Sequence, residues 1–334
     1  MTPLRIVAIG GGTGLSTILH GLKRYAQEPR EAEITAIVTV TDDGGSSGRL
    51  RRDFDVLPPG DIRNCMVALS EDEALLSKLF QYRFSEGRGL KGHSFGNLFL
   101  TALTNLTGDF VQAVKVSSEV LASLGRIYPA TATNVVLEAE LENGKIVKGE
   151  TKIGKSRSRI RRIHLQPRNC QPLPETLAAI EDADLITFGP GSLFTSIIPN
   201  LLVDGIAPAI KRSRALKAYF VNLMWQPGET IGFRASDHVD ALHRHAGMSL
   251  IDVAVVNTRA ITASQRRRYA TQKVRAVLND VDRLAEMGLR VVAADLLAEG
   301  DSVRHDARAA ADVALQLAKR GQMARRKVRV LGER

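Results

Sequence analysis

Apolar and polar positions divide the chain into alternating segments. Ile6, Val7, Ala8 and Ile9 form a run without polar alternation, as expected of a strand covered on both faces in a parallel sheet between helices. The pattern over 15–25 predicts a helix, and 34–40 reads as a second buried strand. The stretch 60–125 is mainly helical in period, with helices expected to residue 69 and over 75–84, 98–106 and 110–124, the last stopped by Gly125. Alternation then takes over: 135–141 and 146–150 flank Asn143-Gly144, a hairpin signal, and a basic strand over 158–165 joins them in an antiparallel elaboration. Further on, helices at 177–180, 202–211, 237–245 and 307–319 alternate with strands at 184–188, 218–223, 253–257 and 291–296. Such alternation predicts a return to one parallel sheet. The expected class is α/β, three layers around a mostly parallel sheet. One domain over 1–318 carries a helical insertion at 60–125 and a β-hairpin elaboration at 133–167, followed by a charged basic tail at 319–334.

Chemistry enters at the ends of the strands. Gly10-Gly11-Gly12-Thr13-Gly14 follows the first strand and opens the first helix. Glycines let backbone N–H groups approach a ligand, and the positive end of the helix dipole points at the same spot, which suits a phosphate. The same glycines can also serve only to tighten a strand-to-helix crossover, because no Gly-Lys-Ser/Thr follows as in a P-loop. A second corner, Thr41-Asp42-Asp43-Gly44-Gly45-Ser46-Ser47-Gly48-Arg49, follows the second strand, and a third, Gly189-Pro190-Gly191-Ser192-Leu193-Phe194-Thr195-Ser196, follows the strand at 184–188. If the first two strands lie side by side through a right-handed crossover, their loops open on one edge of the sheet.

The net charge of +10 suggests nucleic acid until it is located. Seven basic residues and no acid lie in 151–168, and seven more against Glu333 in 319–334, so the rest of the chain is slightly acidic. Neither segment interleaves aromatics on which bases could stack, so a solvated or partner-binding surface is favoured over RNA or DNA. Cys65 and Cys170 lack metal-ligand spacing and are expected to be reduced. No apolar stretch has the length of a membrane span, and the first core strand leaves no room for a signal peptide, so a cytoplasmic location is expected.

The three glycine corners, together with Pro58-Pro59-Gly60-Asp61-Ile62-Arg63, Gly92-His93-Ser94-Phe95-Gly96-Asn97 and Gln226-Pro227-Gly228-Glu229-Thr230, resemble the bacterial gluconeogenesis factor (YvcK) family within the CofD-like, 2-phospho-L-lactate transferase superfamily. The resemblance spans residues 4–310, with Trp225 standing where the family usually has a small polar residue. It implies a Rossmann-like fold that binds a UDP-sugar such as UDP-N-acetylglucosamine, or a dinucleotide (NAD or NADP). The implied role is regulation of cell shape and cell-wall precursor supply on gluconeogenic carbon sources, through protein partners and as a homo-oligomer. The alternative is a Mg²⁺-dependent transferase moving a phospholactate or phosphoenolpyruvate unit from a nucleotide-activated donor. In the transferase relatives, acids matching Asp42, Asp43 and Asp61 hold the metal.

Read for chemistry, amides of Gly11, Gly12, Thr13 and Gly14 would cradle one phosphate, while Gly189, Gly191, Ser192 and Leu193 open a second helix start. Ser192 and Thr195 either donate hydroxyl hydrogen bonds to the ligand or cap that helix. Gly44, Gly45 and Ser46 are placed in the ligand wall with His93 and Asn97, although a core histidine bonded to backbone is nearly as good a reading of His93. Asp42, Asp43 and Asp61 would repel phosphate unless Mg²⁺ lay between them; otherwise Asp43 forms an Asx turn and Asp61 caps a helix. Arg304 can clamp a diphosphate bidentately, Asn222 and Gln226 can read polar sugar or base groups, and Tyr269 either stacks on a ligand or packs a surface helix. No Ser/His/Asp or Cys/His pattern suggests covalent catalysis, and no catalytic residue is assigned.

Overall fold

The computed structural model describes residues 2–71, 75–271 and 273–332. β1 (Leu4–Gly10) is buried at all positions but one, and β2 (Ala32–Val38) likewise. They pair in parallel, Ile6 opposite Ile34 and Ile9 opposite Ile37. β3 (Arg126–Pro129) flanks β2, also in parallel. The Asn143-Gly144 turn joins β4 (Val136–Leu141) to β5 (Ile146–Lys148), and β6 (Ile160–Gln166) completes a separate antiparallel sheet in the order β5-β4-β6. β7 (Leu185–Phe188), β8 (Leu216–Phe220), β9 (Val253–Asn257) and β10 (Arg290–Ala294) then extend the main sheet from the other side of β1.

The resulting order is β10-β9-β8-β7-β1-β2-β3, with every pairing parallel. The chain thus builds outward from β1 in one direction, returns, and builds from β7 in the other. Neighbouring strands whose connections leave in opposite directions open a crevice beyond their carboxyl ends, where ligands of such sheets bind. In this sheet that place is the end of β1 and β7.

Seven helices of the first half concern the site: α1 (Gly12–Leu22), α2 (Gly45–Phe54), α3 (Gly60–Leu69), α4 (Leu75–Gln81), α5 (Phe95–Thr107), α6 (Phe110–Val120) and α7 (Glu150–Ile153). Their starts follow local chemistry. Ser94 accepts from the Asn97 amide to cap α5, and Asp109 accepts from the Val111 amide to cap α6. The helical stretch at 60–125 is as expected in kind.

Two expectations change. α2 begins at Gly45, inside the stretch read as an open loop. The last helix runs Ala307–Gly332 and absorbs the expected tail from 319 up to that point, residues 333–334 lying outside those described. It is docked: Arg325 donates to the carbonyls of Asp182 and Ala183 and pairs with Asp184 at 3.3 Å. Among the described residues no single helix is long and apolar enough to cross a membrane.

Candidate functional site

Because β1 and β7 are adjacent, their glycine corners meet. α1 starts directly after β1, its N-cap Gly11 is extended, and no side chain caps its first turn. The Gly12 amide donates to the Asp61 carboxylate, and no N-cap side chain serves the other opening amides. Gly14 lies so close to the β7 corner that a Cβ there would overlap the Pro190 carbonyl and stand 2.5 Å from the Gly191 Cα. Beyond them lies a cavity of about 400 Å³, lined by residues 11–14, 190–192, 222–226 and 303–305 with Thr17 and Ser196.

The remaining walls are fixed from behind. Asn222, just past β8, donates from Nδ2 to the Gly191 carbonyl at 2.8 Å and to Gln226 Oε1 at 3.1 Å, and accepts from the Tyr219 hydroxyl at 2.8 Å. It clamps the β7 corner, and the Gln226 amide NH₂ is left without a protein acceptor among the described residues. Tyr269 is not in the cavity wall. Its hydroxyl accepts from the Val303 amide at 3.1 Å, so it positions the segment that carries Arg304.

Among the described residues the lining contains no carboxylate, although Asp61 stands directly behind the Gly11-Gly12 backbone. Arg304 is exposed and makes no ion pair with a described residue. His305 faces it as a neutral group: burial lowers its pKa to about 4, and its Nε2 lies 3.2 Å from the Val221 carbonyl, which can only accept. The cavity therefore offers helix-start amides other than that of Gly12, which donates to Asp61, together with one guanidinium and neutral donors.

Glu229, in the turn after β8, shapes the β7 corner. Its buried carboxylate accepts from the Ser192 hydroxyl, from the Phe194 amide at 3.1 Å and from the Thr195 hydroxyl at 3.4 Å, and burial raises its pKa. Of the two readings for Ser192 and Thr195, capping is realised: Ser192 accepts from the Thr195 amide. Ser192 still lines the cavity, whereas Thr195 and Leu193 lie buried beneath it. Glu229, His305 and Ser196 were not singled out from sequence; a glutamate in the Gln-Pro-Gly-Glu-Thr turn was the available signal for the first.

The three aspartates do not assemble a metal site. Asp42 accepts from the Gly44 amide at 2.8 Å, the role expected of Asp43. Asp43 instead accepts from the Thr151 amide at 2.8 Å and hydroxyl at 2.6 Å, tying the β2 corner to α7. Asp61 does not cap α3 but accepts from the Gly12 amide. Among the described residues no three acidic, histidine or cysteine side chains are disposed to hold an ion, so the protein alone supplies no closed Mg²⁺ cage and no step is routed through one. Burial, reinforced by Asp42, raises the Asp61 pKa to about 7, and burial with the surrounding acids pushes Glu150 to about 9. Near neutral pH part of this acidic cluster behind the β1 and β2 corners is protonated.

Gly44, Gly45, Ser46, His93 and Asn97 are not brought to this cavity. Gly44 and Gly45 line a different one beside Thr151 and Lys148, because Asp43 turns the β2 corner toward the small sheet. Ser46 bonds His93 Nδ1 at 3.0 Å. Asn97 accepts from Arg63 at 3.0 Å and reaches Ser47 at 3.4 Å, within a buried polar network between α2, α3 and α5. His93 is thus a buried structural histidine, although its partner is a side chain and not backbone.

Fold and cavity define a doubly wound α/β protein with an anion-receiving pocket at its topological switch point. The sequence model of the family described as 2-phospho-L-lactate transferase CofD matches residues 6–297. The chain is 48% identical over 316 residues to the gluconeogenesis factor of Bacillus subtilis, covering 94% of this chain and 98% of that one. It is 46% identical over 317 residues to the gluconeogenesis factor of Halalkalibacterium halodurans, covering 95% and 97%. A crystal structure of protein BH3568 from Bacillus halodurans superposes with a TM-score of 0.90 at 45% identity, covering 94% of this chain and all of that one. The chain belongs to the CofD family, among its gluconeogenesis factors.

Proposed function

We propose that the protein binds the diphosphate of a nucleotide sugar of the UDP-N-acetylglucosamine kind and acts as a regulator of cell morphogenesis and cell-wall precursor supply during growth on gluconeogenic carbon. The observation that carries this reading is the meeting of the β1 and β7 glycine corners around a cavity without carboxylates, with Arg304 beside it. A diphosphate accepts from backbone amides at a helix start and from a bidentate guanidinium. Gln226 supplies a donor for a sugar or base, and Trp225, whose indole N–H is held by the Phe233 carbonyl at 2.9 Å, supplies an apolar wall. A regulator needs differential ligand affinity between two states and no nucleophile. The name of the matched family points to a transferase, but no observation at this pocket favours that reading over binding.

Trp225 is the only tryptophan and lines the cavity, so intrinsic fluorescence reports occupancy. Titration with UDP-N-acetylglucosamine is expected to give a saturable change at sub-millimolar concentration, with UDP alone weaker and NADH as the dinucleotide comparison. Absence of any saturable change, confirmed by calorimetry, contradicts the proposal.

A further inference from the structure

A second cavity, of about 500 Å³, opens on the other side of the α1 start and shares Thr13 with the first. Its described lining includes His20 and Lys23 from the α1 side, Arg63 and Asn64 from α3, and Lys78 from α4, with no carboxylate among them. Arg63 is the unusual member. It is 9% exposed, yet no described carboxylate lies within ion-pair distance of it. Its guanidinium donates only to neutral oxygens: Ser94, Asn97 at 3.0 Å and Asn64 at 2.6 Å. Its buried Nε has no acceptor among the described residues. A desolvated cation held by neutral acceptors alone is costly, and a neighbouring anion relieves that cost.

We propose that this second cavity binds a phosphate monoester of a small metabolite, distinct from the ligand of the β1–β7 corner. Lys23 and Lys78 supply mobile ammonium donors, Arg63 the fixed positive charge behind them, and His20 a ring N–H donor. Phosphate is favoured over a single carboxylate because three cationic side chains line one cavity with no acid among its described lining residues, and a phosphate dianion offers more charge and more acceptor oxygens to match them. Through Thr13 the two occupants would share the first turn of α1, so each would alter the other's affinity by the same factor.

The probe is inorganic phosphate, followed by calorimetry and thermal unfolding of the full chain, alone and with saturating UDP-N-acetylglucosamine. Phosphate is expected to bind in both conditions and in Arg304→Ala. The double variant Lys23→Ala/Lys78→Ala, two solvent-reaching positions, is expected to weaken phosphate about tenfold, the order of one charge-assisted hydrogen bond, with UDP-N-acetylglucosamine affinity unchanged. Arg63→Lys, which keeps the buried charge but not the fork, should weaken phosphate as well. No phosphate binding, binding abolished by the nucleotide sugar or by Arg304→Ala, or binding indifferent to the double variant overturns the proposal. If the nucleotide reading fails, the sugar arm stays silent while the phosphate arm still answers.

Discussion

Two corners of this molecule look alike in sequence and differ in the fold. Both the β1 and the β2 corners follow buried parallel strands, are rich in glycine and open uncapped helices at the same sheet edge. The β1 corner faces β7 across the point where strand order reverses, and no acid is among the described residues lining its cavity, Asp61 standing behind it. The β2 corner lies one strand away and is pulled toward the small sheet by the Asp43–Thr151 bonds. Its cavity includes Asp43. Glycine content therefore marks where backbone can approach something; strand order decides whether that something is another corner.

The sharpest way to break this contrast is to add one methyl group to each corner. Gly14→Ala forces a Cβ against Pro190 and Gly191, an overpacking that costs about 1–3 kcal/mol and pushes the two corners apart. Binding of UDP-N-acetylglucosamine is expected to disappear from calorimetry while the protein still folds. Gly45→Ala meets nothing within 4 Å and suffers only from its φ of 47°. It should cost about 1 kcal/mol by denaturant unfolding and leave affinity within twofold of the parent, a change within the ordinary spread of surface effects. Equal loss of affinity in both variants would remove the distinction.

The next effect concerns charge. Arg304→Ala removes the one guanidinium among the described residues lining the first cavity and should weaken the nucleotide sugar at least tenfold, as loss of a charge-assisted pair does. His93→Ala, in the α2–α5 network, should change unfolding and not affinity. A selective effect of His93 on affinity would restore the β2 side to the site.

The smallest effect sharpens the electrostatics. Asp61 holds its proton to about pH 7 in the folded protein, above the ordinary carboxylate range. Its contribution to stability is therefore present below about pH 4, where both states are protonated, and is lost as pH rises toward 7. The same ionisation places a negative charge beside the Gly12 amide, so diphosphate affinity should fall severalfold between about pH 6 and 8. Asp61→Asn should flatten that profile. His305, neutral throughout this range, should not contribute.

Much of this was legible from sequence because it is local. Ile6–Ile9 and 34–40 show no polar alternation, and Asn143-Gly144 marks its hairpin, so strands and turn follow from period and turn chemistry. Other features depend on distant partners. β3, four residues ending in Pro129, is too short to carry a period and exists as an edge on β2. The segment after 319 reads as a charged tail, but Gly321 lets the helix approach the Asp184 carbonyl and Arg325 binds the chain before β7. Of the candidate ligand residues, Gly11, Gly12, Thr13, Gly14, Gly191 and Ser192 come together with Asn222, Gln226 and Arg304, whereas Gly189, Leu193 and Thr195 of the β7 corner do not line the cavity. Ser46, His93 and Asn97 do not, because strand order and the Asp43 tie are invisible in a local pattern. Glu229 was hidden for the same reason, since its role lies in hydroxyls and an amide more than thirty residues away.

A crystal structure grown with UDP-N-acetylglucosamine tests the central claim most directly. The diphosphate is expected against the amides of residues 11–14 and the Gly191-Ser192 turn, with Arg304 drawn onto it. Phosphate density at Gly44 and Gly45 instead, with the β1–β7 cavity holding only water, would contradict it.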